Sequence, residues 1–145
     1  MQRTKSSMDV EALRERFGAA MLAELKSLTT KNRLVLAAHV CTVDGFELVA
    51  VHSDEESRRR LAAMASSIYA VGCAIVNEVR LGTYENLVLE GSNGKVLMMA
   101  VPNSDDALLL TAIAAEDALF GHFHYACKTC CENLGRHLVG EVARA

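Results

Sequence analysis

A chain of 145 residues, 51% hydrophobic and 23% charged, has the make-up of one folded domain around one core, not of a disordered polymer. Fifteen Lys and Arg against 18 Asp and Glu give a net charge of −3, which leaves no basic excess for a run of phosphates and excludes a dedicated nucleic-acid binder. With no Trp, three Tyr and four Phe, little is left for base stacking.

The opening residues Met1-Gln2-Arg3-Thr4-Lys5-Ser6-Ser7 are basic but carry no apolar run behind them, so they do not read as a secretory signal. Five cysteines, an odd number, then read as reduced thiols in a cytoplasm. The longest stretch free of Asp, Glu, Lys and Arg runs over the 17 residues from Leu61 to Asn77 and counts as too short for a membrane span.

A first helix is expected over residues 8–28, where Val10, Leu13, Phe17, Met21, Leu25 and Leu28 recur every three or four positions. Thr29-Thr30-Lys31-Asn32 breaks that pattern. Residues 33–43 read as a strand apolar on both faces, which must therefore be covered from both sides. Asp44-Gly45 is a hairpin signal, and residues 46–52 are the returning strand. Ser53 is the expected cap of a second helix, with Glu56 reaching back to it. That helix should run to about Val79, with Gly82 just past its end. Strands over 85–90, 95–101 and 107–114 follow, turned at Gly91-Ser92-Asn93-Gly94 and at Pro102-Asn103-Ser104-Asp105, in an antiparallel meander. A last helix begins near Glu116-Asp117 and continues to about Val139.

The second helix is the most informative segment. At 100° per residue, Leu61, Met64, Ala65, Ile68, Gly72, Ile75 and Val79 form one stripe, enough to seat it on a sheet. A second apolar strip, Ala62, Tyr69, Cys73 and Val76, lies beside the first, and even the remaining side carries Ala63, Ala70 and Ala74. A helix apolar nearly all round is buried on more than one side. An alanine-rich surface is the plain alternative. Packing against a second copy across a two-fold axis is the reading favoured here.

Several motifs in this order resemble the roadblock family of dynein light chains and bacterial MglB-type proteins. They are Val43-Asp44-Gly45-Phe46, Arg60-Leu61-Ala62-Ala63-Met64-Ala65, Asn86-Leu87-Val88-Leu89-Glu90-Gly91, Gly94-Lys95-Val96-Leu97 and Asp106-Ala107-Leu108-Leu109-Leu110. The resemblance spans roughly residues 33–140 of a single domain taken as 1–145. It implies an α+β fold of the roadblock/profilin-like type, a five-stranded antiparallel sheet sandwiched by helices in the order α-β-β-α-β-β-β-α. It also implies a homodimer formed by the second helices and the third strands, Leu87, Val88 and Leu89 among them. Family members are typically non-catalytic platforms for small Ras-like GTPases, without a fixed contact motif.

Other constellations are weaker. His124, Cys127 and Cys131 lie close enough on a helix to suggest a metal, yet Phe120, Phe123, Cys127, Cys130, Leu134 and Leu138 make a core stripe and no second ligand pair has metal spacing. No metal or cofactor is therefore expected. Gly91-Ser92-Asn93-Gly94-Lys95 lacks the spacing, hydroxyl and following helix of a phosphate loop. Arg58 and Arg59 are the candidate partner contacts, set against a solvated helix edge balanced by Asp54, Glu55 and Glu56. His39, mid-strand among apolar neighbours, reads as a satisfied core histidine. With no nucleophile or acid–base pair in view, the expectation is a cytoplasmic, homodimeric, non-enzymatic scaffold with a small GTPase as partner. The alternatives are a self-associating adaptor or ligand sensor, then a metal- or thiol-dependent protein.

Overall fold

A computed structural model describes residues 7–140, Ser53 and Asp106 excepted. Residues 1–6 and the expected Ser53 cap thus lie outside the described residues. The elements are α1 (Ser7–Lys31), β1 (Val35–Thr42), β2 (Glu47–Val51), α2 (Glu55–Glu78), β3 (Asn86–Gly91), β4 (Gly94–Ala100), β5 (Leu108–Ala115) and α3 (Phe120–Leu138). All five strands form one antiparallel sheet in the order β2-β1-β5-β4-β3. Helices α1 and α3 pack together on one face, and α2 lies alone on the other. The expected fold class and element order hold.

Boundaries moved where side chains bond locally. The first helix runs through Lys31 because Thr29 Oγ1 donates to the Leu25 carbonyl at 3.3 Å and Asn32 Nδ2 to the Leu28 carbonyl at 2.9 Å, so the polar run closes the last turn instead of breaking it. Asp54 caps α2, its carboxylate accepting from the Ser57 backbone N–H at 2.9 Å. That bond holds the Asp54 carboxyl below the usual carboxylate range. The last helix starts at Phe120, later than expected, with Leu119 at its cap and no side-chain cap bond. Lys95 accounts for the preceding turn: its Nζ donates to the carbonyls of Glu116 at 3.1 Å and Ala118 at 2.9 Å. The glycine-lysine turn is thus a hairpin whose lysine ties down the loop before α3.

The two faces differ in depth. Between the sheet and α1/α3 lies the main core, with Met21, Leu25, Leu97, Leu110, Phe123 and Leu134 buried. Cys127, Cys130 and Cys131 belong to it, as free cysteines. On the α2 side the buried set is Cys41, Ala62, Ala65, Met98 and Leu109.

Candidate functional site

The seat of α2 is built from small residues. Ala62 and Ala65 are both fully enclosed. Gly72 lies so near Tyr84 that a Cβ there would stand 2.8 Å from the ring, and only glycine permits that approach. Tyr84 in turn packs edge-on against Tyr69 at 4.9 Å between ring centroids and donates its hydroxyl to the Met98 carbonyl at 3.3 Å. Ser66 Oγ donates to the Val43 carbonyl at 2.5 Å, and Arg58 Nε pairs with Glu47 Oε1 of β2 at 3.4 Å.

This seating corrects the expected orientation in part: Ala65, Ile68 and Gly72 of the expected stripe stay on the sheet side, and Ala62 and Tyr69 of the second strip join them. Ala62 faces its own sheet, Tyr69 packs half-buried on that side, and Cys73 and Val76 are half-buried. Ala62 therefore has no surface to offer a partner. Met64, Ile75 and Val79, expected beneath the helix, are 52%, 56% and 55% exposed, and Val71 is 58% exposed. With Ala63, Ala70 and Ala74, also exposed, they give α2 an apolar outer face. The signal in the sequence was the pair of small-residue positions Ala65 and Gly72, which mark close approach rather than bulk. By length and composition α2, Glu55–Glu78, is long and apolar enough to cross a membrane, a correction to the count over Leu61–Asn77 alone.

The sheet edges are unequal. At the β2 edge α1 packs alongside, and Arg14 donates from Nη2 to the Glu47 carbonyl at 2.5 Å and from Nε to the Leu48 carbonyl at 3.2 Å. Those groups are spent, so that edge is blunted. Strand β3 pairs only with β4, and its other edge meets no strand among the described residues. Leu87 packs toward the α2 side, Val88 toward the α1/α3 side, and Leu89 is exposed. The apolar face of α2 and the open β3 edge are surfaces of the kind that a partner covers.

A family model described as Roadblock/LC7 domain matches residues 21–114. The chain belongs to the Roadblock/LC7 domain family. Solved structures similar to this Roadblock/LC7 chain include Myxococcus xanthus MglB, at 14% identity and TM-score 0.76 over 85% of this chain and 90% of that one. A Roadblock/LC7 domain from Streptomyces avermitilis is 17% identical with TM-score 0.75, covering 81% and 97%. A structure described as MglB with tetrameric arrangement is 16% identical with TM-score 0.74, covering 85% and 90%. No curated protein matches by sequence.

The remaining candidates fall apart as a site. Arg58 is half-buried on Glu47, whereas Arg59 is exposed beside Asp54, Glu55, Glu56 and Arg60 in an open depression. Cys127 and Cys131 point into the main core, while His124 lies half-buried with Nε2 at 3.5 Å from Asn86 Nδ2. Among the described residues no three of His, Cys, Asp and Glu converge to hold a metal. Burial pushes the Cys127 and Cys130 thiols up to about 12, and raises Cys131 further. In the native protein, maleimide should therefore label half-buried Cys73 at least about a hundredfold faster than these three, read by mass spectrometry of peptides. Equal rates would mean that α3 is not seated on the sheet.

Proposed function

We propose that this Roadblock/LC7 chain is a cytoplasmic, non-catalytic platform that pairs with a second copy of itself and binds or regulates a small Ras-like GTPase. The observation that carries the reading is the apolar outer face of α2 next to the open β3 edge, where a second copy buries the one and extends the other. The tetrameric arrangement named for a similar MglB supports self-association. Pairing also gives α2 a second buried side, which accounts for its apolar composition without a bilayer. Family membership supports the GTPase partner, and the exposure of Arg59 at the N-terminal end of α2 supports it as the contact.

Two measurements test this. Sedimentation at micromolar concentration should give twice the chain mass, and pull-down with nucleotide-loaded Ras-like GTPases from the same cell should retain one of them. Arg59→Glu should weaken that capture about tenfold and reduce its salt sensitivity while leaving the dimer intact. Capture equal to wild type would remove Arg59 from the contact. A persistent dimer that holds no GTPase in either nucleotide state would favour a ligand-sensing adaptor instead. A specific feature supports that second reading: a cavity of about 370 Å³ between α1 and α3, lined by Glu24, Leu28, Lys31, His122, Tyr125 and Asn133.

A further inference from the structure

Beneath α2 the sheet buries three polar atoms that no described protein group satisfies: both ring nitrogens of His39 and the Thr111 hydroxyl oxygen. Core histidines are ordinarily hydrogen-bonded, so the expected satisfied histidine is corrected here. His39 and Thr111 stand opposite each other across the β1–β5 ladder, 3% and 1% exposed. By the alternation of their strands they share the α2 side with Cys41 and Leu109, which pack in one cluster with Ala62 and Ala65.

Among the described residues the charge that acts on His39 is that of Arg58. From α2, Arg58 faces His39 with a positive charge, and the Glu47 carboxylate of β2 is engaged with that arginine. Across the β2 ladder stands Ala50, and from β5 comes the uncharged Thr111. Cys41, two residues along the same strand face, is a neutral thiol pushed up to about 12, chiefly by burial and then by Glu47 and Asp44. An imidazolium here would meet little water and the like charge of Arg58.

We propose that His39 is a proton-sensitive latch for α2: the helix sits on the sheet only while the imidazole is neutral, and protonation unseats it while the α1/α3 layer stays closed. Leaving the sheet hydrates the new charge and separates it from Arg58. α2 yields first because its side of the sandwich is the shallow one, where the helix itself contributes only Ala62, Ala65 and Gly72 to the buried set. The opposite layer is held by Leu25, Phe123 and Leu134. Burial first, and Arg58 second, hold His39 down at about 4, below its ordinary 6.5. With the seated value depressed, the seat has full strength above 6.5 and loses it as pH falls towards 4. A single linked proton changes the seated-to-released ratio about tenfold per pH unit in that window.

Hydrogen exchange of the full chain from pH 7.5 to 4, corrected for intrinsic rates, tests the latch. Peptides of α2 should lose protection about tenfold per unit below pH 6.5, while those of α1 and α3 keep theirs. His39→Leu should flatten the α2 slope, and His39→Gln serves if the leucine variant fails to fold. In wild type the His39 imidazole NMR signal should titrate well below 6.5. A flat α2 profile, loss of both layers together, an unchanged slope in a folded variant, or a midpoint near 6.5 would each overturn the proposal.

Discussion

Val71→Glu should convert the proposed self-pair into folded monomers. The side chain is 58% exposed on the outer face of α2, so the isolated fold loses almost nothing by the change. In a closed interface the same carboxylate would lose its hydration against Met64, Ile75 and their symmetry copies. The dimer dissociation constant should rise at least about a hundredfold, read by sedimentation equilibrium, with the thermal midpoint of the monomer nearly unchanged. Ile75→Glu should behave alike. Ala62→Glu should not: that position is fully enclosed by its own chain, and the charge would unfold the α2 side outright. A Val71→Glu protein that sediments as a dimer would move the interface elsewhere, and a monomeric wild type would abolish it.

Gly135→Ala should destabilise the fold by about 3 kcal/mol, although it adds one methyl group and improves helix propensity. A Cβ at Gly135 would stand 2.6 Å from the Pro102 carbonyl oxygen and 3.2 Å from the Pro102 Cβ. Neither can swing away, because Asn103 Nδ2 donates to the Gly135 carbonyl at 3.2 Å and Val101 is hydrogen-bonded to Leu108. The turn between β4 and β5 and the C-terminal half of α3 would have to part. Gly121 is the internal control on the same helix. A Cβ there meets nothing within 4 Å, so Gly121→Ala should be neutral or stabilise by roughly 0.5–1 kcal/mol. Chemical denaturation of the two variants decides the matter. Equal effects would show that the Pro102 contact is not made in solution.

The second prediction turns on close approach, and close approach is also what the chain alone does not reveal. Element types and their order were legible because their causes are local: three- and four-residue periodicity in α1, Asp44-Gly45 with Gly45 at φ 100°, and the two-residue turn at Ser92-Asn93. Local chemistry also carried the motifs by which the family was recognised. End points slipped where a neighbouring polar residue could do the same job, as Asp54 does in capping α2. The rotation of α2 was beyond such reasoning. A helix apolar all round has no preferred side of its own, so the partner surface chooses it. Tyr84, brought up from the segment before β3, and the β1/β5 floor accept Gly72, Ala62 and Ala65 and leave no room for Met64 or Ile75. His39 tells the same story from the sheet. Its strand pattern foretold burial, but whether a bond partner waits there depends on residues from β5 and α2, far away in the chain, and only the folded structure brings Thr111 and Arg58 around it.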